Sequence, residues 1–263
     1  MKYILFSCSI FFAQFVVAQK AFTYKGEYAV SDLKMIEDLM PLLPGLGSPM
    51  KDIMNEQSIK PYMMTPRKVG ERAPYTAYSV ASCMEFYLNF KKNFKENLSP
   101  DYIYLSVESD GKVHKVEDAL QFVAGTGTIS AAILPYDAAS ISSNIYATQK
   151  FKIKNYLVLF REVTAAKQKI FEVKKALMRG NPVLVEMAVN QEFKLLNNTK
   201  YWSPATVKST QNQALIAVGY DEDRKAIELQ NSMGTDWGNN GYIWISYEDF
   251  GKLAQNGFVL VVE

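Results

Sequence analysis

Residues 213–246 read QALIAVGYDEDRKAIELQNSMGTDWGNNGYIWIS, and this stretch decides the fold. QALIAVGYD (213–221), KAIELQNS (225–232) and GYIWISY (241–247) have the alternation and composition of strands. Between the last two lies a block, 230–246, with three Gly, two Trp, three Asn and a single Met in seventeen positions. A plain hairpin needs one Gly-containing turn. The surplus implies that the block holds other side chains in place as well.

Outward from this stretch, PVLVEMAV (182–189) and FVLVV (258–262) read as further strands. The first half of the chain is helical instead. Pro74 suits the first turn of a helix, where a missing N–H costs nothing, and Ala77, Val80, Ala81, Met84 and Leu88 then recur at helical spacing. Ser99 and Pro100 predict the start of a second helix at LSPDYIYLSV. VEDALQFVAG, closed by Gly125, and a Lys-rich run from Thr164 to Arg179, closed by Gly180, predict two more. Helices first and an antiparallel sheet second indicate an α+β protein of two lobes, with a cleft between them. The helical lobe is expected over about 75–140 and the β lobe over about 141–263. Before them, residues 19–58 form an extension whose segment SDLKMIEDLMPLLPGLG (31–47) predicts a short amphipathic helix lying on the main domain.

Composition narrows the function. The 263 residues are 48% hydrophobic and 21% charged, with a formal charge of +2, so no electrostatic footprint for nucleic acid is present. The N-terminus, MKYILFSCSIFFAQFVVAQK, has Lys2, an apolar run from Tyr3 to Ala18, and Val16 and Ala18 at −3 and −1 of a cut before Gln19. That pattern predicts a signal peptide over residues 1–18 and an exported protein, periplasmic, cell-surface or secreted; a buried N-terminal strand is the alternative. No later run is long enough for a membrane span. After cleavage Cys83 is the only cysteine and His114 the only histidine, so neither an internal disulfide nor a transition-metal site is expected, and no cofactor is implied.

The 213–246 stretch resembles the papain-like (C1) cysteine peptidases. In that family a strand carrying His-Ala and ending Val-Gly-Tyr precedes a strand ending Asn-Ser-Trp-Gly, followed by a Trp-Gly-x-x-Gly-Tyr turn. GTISAAILPYD (127–137) is similar to the family's segment running from Gly to Pro-Tyr, and ALMRGNPVLVEMAV (176–189) to its helix, Gly-Pro-Val and strand. The likeness runs in order from about Pro61 to Glu263. It implies the papain-like fold, with a helical left lobe, an antiparallel, β-barrel-like right lobe, and a substrate cleft between them.

The family's chemistry uses a Cys at the start of the long helix, a His base on the facing strand, an Asn that orients the His, and a Gln that donates to the oxyanion. Two registers compete for the nucleophile position. Cys83, in ASCMEF, mimics the family's Ser-Cys-Trp-Ala-Phe. Tyr75 fits better, because TAYS (76–79) matches the Trp-Ala-Phe-Ser that follows the family's Cys. From Tyr75, Glu85 and Ser99 fall ten and twenty-four residues later, and Gly70 five residues earlier, near the family's helix Glu, second-helix cap and post-Gln Gly. In this register Gln213 stands for the His and Val69 for the oxyanion Gln, while Asn231 is kept. Met233 replaces the shielding Trp and Arg72 a cysteine beside the cleft.

A phenol is a poor acyl acceptor without a base, and a Gln amide does not titrate. The resemblance therefore implies a pseudopeptidase, with Gln213 and Asn231 bonded to each other or to Tyr75. Gly70, Pro74, Trp202, Met233 and Trp237 are candidate cleft residues; Trp202 has simple packing as its alternative, and Trp237 is also expected to pack its loop onto the lobe. A shifted Cys83–His114 dyad, or Thr76, Ser79 or Ser82 as nucleophile, would keep activity, but the hydroxyls lack a candidate base. Three functions follow: a peptide- or protein-binding pseudoenzyme, alone or as an accessory subunit; an active cysteine peptidase; and a structural or inhibitory module with Tyr75 plugging the cleft.

Overall fold

A computed structural model of the chain describes residues 28–43, 45–46, 52–72, 74–92, 95–107, 115–204 and 211–262. In order, the elements are β1 (Ala29–Val30), α1 (Leu33–Leu39), β2 (Glu56–Ser58), α2 (Tyr75–Lys92), α3 (Pro100–Val107), α4 (Val116–Gly125), β3 (Asn155–Phe160), α5 (Ala166–Met178), β4 (Val183–Val189), β5 (Tyr201–Trp202), β6 (Gln211–Asp221), β7 (Ala226–Gln230), β8 (Tyr242–Ser246), α6 (Tyr247–Leu253) and β9 (Ala254–Val261). The expected signal peptide, residues 1–18, lies outside the described residues.

α2 is the organising helix. Its predicted face, Ala77, Val80, Ala81 and Met84, is buried, but so are Tyr78, Ser79, Cys83, Glu85, Phe86 and Tyr87. A helix buried nearly all round sits between layers. α2 packs on α3 and α4 to one side and on β6 to the other. α3 starts where its cap predicts: the Ser99 hydroxyl accepts a hydrogen bond from Tyr102 N at 3.1 Å, and Pro100 occupies the first helical position.

The strands form one sheet in the order β1-β3-β9-β4-β6-β7-β8-β5, with β2 also paired to β6. Most pairs are antiparallel, but β1–β3 and β5–β8 are parallel. The expected antiparallel, barrel-like lobe is thus corrected to a mixed, open sheet. Closure needs a consistent tilt and stagger all the way round. Here the two ends of the path, β1 and β5, are two residues each, and among the described residues they pair only with their inner neighbours. β6 is central, paired with β4 over Gln211–Ala217, including Met187 opposite Gln213.

The described part of the extension is more than a helix lying on the surface. β1 and β2 join the sheet, and α1 runs from the Asp32 cap to Leu39. The segment after α1 lies along the end of α5: Arg179 Nη2 donates to Met40 O at 2.8 Å and Asn181 Nδ2 to Pro41 O at 2.7 Å. Gly180, at φ +84°, permits this, because a Cβ there would stand 2.6 Å from Leu43 O. Among the described residues no helix is long and apolar enough to cross a membrane.

Candidate functional site

Three elements converge at the candidate site: the start of α2, the start of β6 and the end of β7. Ser79, one turn beyond Tyr75 on α2, donates its hydroxyl proton to Ala214 O at 2.9 Å. That bond sets the first turn of α2 beside Gln213. Gln213 Nε2 in turn donates to Asn231 Oδ1 at 2.7 Å, and Ser232 N donates to the same oxygen at 2.8 Å. Gln213 and Asn231 are each 2% exposed. Gln213 Oε1 and Asn231 Nδ2 are buried with no hydrogen-bond partner among the described residues. The pair is cross-linked once, with an acceptor and a donor to spare, and neither amide titrates.

Tyr75 opens α2 half-buried, and burial raises its phenol above the ordinary tyrosine range. Lys194, in the short 3₁₀ segment Gln191–Leu195, holds its ammonium 5.8 Å from the centre of the Tyr75 ring. Neither Lys194 nor that turn was evident from the sequence.

Residues 67–69 run antiparallel along 232–234 and form the wall that joins the lobes. Val69 N donates to Ser232 O at 3.0 Å, Gly234 N to Arg67 O at 3.0 Å, and Lys68 bridges Met233. Gly70 lies so close to Asp137 that a Cβ would come 1.9 Å from its Oδ1. Arg72 Nη2 donates to Asp101 Oδ1 at 2.7 Å and to Ala138 O at 2.8 Å, and Asp137 N donates to Asp101 Oδ2 at 3.0 Å. An ion pair therefore ties 72 to α3 and to the 137–138 segment. Pro74 is buried just ahead of α2, and Met233 is half-buried.

The two tryptophans named as cleft candidates are packed instead. Trp237 is 1% exposed, and its Nε1 donates to Phe193 O at 2.7 Å. Phe193 meets Trp237 in a tilted contact at 5.0 Å and Trp202, itself 4% exposed, edge-on at 4.5 Å between ring centres. For Trp202 the structure matches the packing alternative. The three rings hold the 3₁₀ turn, and Lys194 with it, against the loop before β8. Gly241, at φ +83°, lets that loop pass Pro66, whose Cβ would be 2.5 Å from any side chain there.

Cys83 lies two turns beyond Tyr75, fully buried, and burial pushes its thiol well above the ordinary range. His114 lies outside the described residues. An ion pair missed in the sequence joins a half-buried guanidinium to a buried carboxylate: Arg67 Nη2 donates to Glu85 Oε2, while Leu98 N donates to Glu85 Oε1 at 2.5 Å. Arg67 also lies 5.0 Å from the centre of the Tyr136 ring. The spacing of Glu85 from Tyr75 singled out one partner, but nothing in the sequence singled out Arg67. Among the described residues no group of three or more His, Cys, Asp or Glu is placed to hold a metal ion.

A family profile described as Papain family cysteine protease matches residues 74–257. This chain belongs to the papain family. Cathepsin 7 of Mus musculus is 28% identical over 240 residues, covering 85% of this chain and 67% of that protein. The peptidase C1-like protein L477 of Acanthamoeba polyphaga mimivirus is 27% identical over 139 residues, covering 51% and 40%. The chain thus spans between two-fifths and two-thirds of these papain-family relatives.

Among solved structures, xylellain, a cysteine protease from Xylella fastidiosa, superposes with a TM-score of 0.65 at 19% identity, covering 90% of this chain and 96% of that one. The cysteine protease CMS1MS2 of Carica candamarcensis, in complex with E-64, gives 0.63 at 19% identity, covering 80% and 99%. At that identity the likeness is one of fold, and the fold is the papain fold.

Proposed function

We propose that the chain is an exported papain-family pseudopeptidase that binds a peptide or protein partner through the former substrate cleft, alone or as an accessory subunit of a cell-surface or periplasmic assembly. The observation that carries this reading is the buried Gln213–Asn231 hydrogen bond beside the first turn of α2. Acyl transfer needs a group that takes a proton from the nucleophile and returns it to the leaving amine. In the register that puts Tyr75 at the nucleophile position, that group is an amide. Removing nucleophile and base together leaves no covalent route, since either loss alone costs several orders of magnitude.

The residues that remain suit binding. An extended peptide is held by main-chain hydrogen bonds and by pockets for alternate side chains, neither of which needs a nucleophile. The wall at 67–70, with Val69 in place of an oxyanion donor, and the rim near Met233 border the groove in this reading. Export rests on the pattern of residues 1–18. Among the described residues the active-peptidase alternative has only Cys83 as a thiol nucleophile, and that side chain is fully buried.

One observation favours a second reading. Lys194 over the Tyr75 ring fits a phenol that fills the groove, with the function on another face. A display library of extended peptides, panned on the purified protein and followed by titration of the recovered sequences, separates the two. Cleft binding predicts saturable peptides whose affinity falls about ten-fold or more in Tyr75→Ala. The plugged reading predicts that no peptide is recovered from the wild type and that Tyr75→Ala opens the groove to them.

A further inference from the structure

A cavity of about 240 Å³ lies at the other end of α2 from Tyr75. Sixteen residues of helix separate Lys91 from Tyr75, roughly 24 Å at 1.5 Å per residue, so this is not the cleft. Its floor is apolar, with Met84 and Leu98 buried and Phe151 half-buried. Its mouth is cationic: Lys92, Lys150 and Lys152 all line it.

The partners of these lysines are carbonyls and rings. Lys150 Nζ donates to Ile145 O at 3.2 Å and stands 4.5 Å from the centre of the Tyr102 ring. Lys152 Nζ donates to Gly125 O at 2.8 Å, and Lys92 lies 5.2 Å from the Phe151 ring. Desolvation holds the Lys150 ammonium below the usual lysine range. Among the described residues no carboxylate lines the cavity. A volume of this size takes about eight water-sized groups at ~30 Å³ each.

We propose that this cavity binds a carboxylate carried on an apolar chain, the chain on the Met84–Leu98–Phe151 floor and the carboxylate at the Lys92–Lys150–Lys152 mouth. Charge complementarity chooses the head group and the apolar floor chooses the tail. A zwitterion or an uncharged alcohol satisfies only half of the site. An eight-carbon acid matches the volume. The same chemistry occurs at the free C-terminus of a peptide ending in a large apolar residue.

Calorimetric titration of the full-length protein with octanoate tests the proposal, beside octanol and beside N-acetyl-Ala-Leu as free acid and as amide. Saturable binding of octanoate, absent for octanol, is expected. The double variant Lys92→Gln, Lys150→Gln should weaken it about ten-fold, two surface charge contacts of up to about five-fold each, while Lys34→Gln on α1 leaves it unchanged. Tighter binding of the dipeptide acid than of octanoate, with the same loss in the double variant and no binding of the amide, supports the site and assigns it to peptide C-termini. No saturable binding of either acid, equal binding of octanol, or an unaltered double variant with a native thermal melt overturns it.

Discussion

Gln213 and Asn231 are two amides sharing one buried hydrogen bond. Asn231 Oδ1 accepts from both Gln213 Nε2 and Ser232 N, so Asn231→Ala strands two buried donors at once. Urea denaturation should show a loss of about 2–6 kcal/mol, about 1–3 kcal/mol for each donor left unsatisfied. Because neither amide titrates, the affinity of a neutral cleft peptide should be flat from about pH 5 to 8, the range in which a histidine changes charge. A bell or step in that window would point to a titrating group in the site. At this scale the sequence was most legible where spacing applied. The Tyr75 register led to the expectation that Gln213 and Asn231 bond each other or Tyr75, and the structure has the first of these. Lys194 and Arg67 were not legible, because each meets its partner across more than one element and nothing local marks them.

Between elements, α2 is held at both ends of its buried face. The Ser79 hydroxyl ties it to β6, and Glu85 ties it to Arg67 on the wall segment and to Leu98 ahead of α3. Burial raises Glu85 even with Arg67 beside it. Arg67→Ala would leave that carboxylate buried and uncompensated, and a loss of about 3–5 kcal/mol is expected from chemical denaturation. The pairwise replacement Arg67→Met, Glu85→Gln removes both charges and keeps an acceptor for Leu98 N, so it should recover most of the loss; if the double variant is no more stable than Arg67→Ala, the ion pair is not what the single variant breaks. α2, β4, β6, β7 and β8 were legible because period and capping agree with burial. β3 was not, since NYLVLF is buried on nearly every residue and shows no alternation. α6, seven residues capped by Ser246, was hidden between two strands.

At the scale of the whole molecule, the extension is built into the sheet through β1 and β2. β2 pairs with β6 and the buried Gln57 Nε2 donates to Leu177 O at 3.3 Å, so the extension shares the core of the β lobe. The sequence showed its helix but not its strands, because two- and three-residue strands carry no period. The β6–β7 turn is fastened to α5 and α6 through Glu222. Burial alone would raise this carboxyl, but hydrogen bonds from Lys174, Lys225 and Tyr247 outweigh it and hold it at about 2. A depressed carboxylate contributes stability above its unfolded pKa of about 4.3 and loses that contribution as pH falls toward the folded value. Glu222→Gln should therefore flatten the fall in melting temperature between about pH 4.5 and 2 relative to wild type; an unchanged slope would remove Glu222 from the acid response.

The proposed lapse of covalent chemistry is tested most directly by one labelling measurement. The native protein is incubated with fluorogenic peptides and a thiol-directed epoxide, and adducts are located by mass spectrometry, beside the variant Tyr75→Cys, Gln213→His. The wild type should neither turn over peptide nor carry an adduct, while the double variant is labelled at position 75. Turnover or labelling by the wild type that disappears in Cys83→Ala would contradict the Tyr75 register and the pseudopeptidase with it.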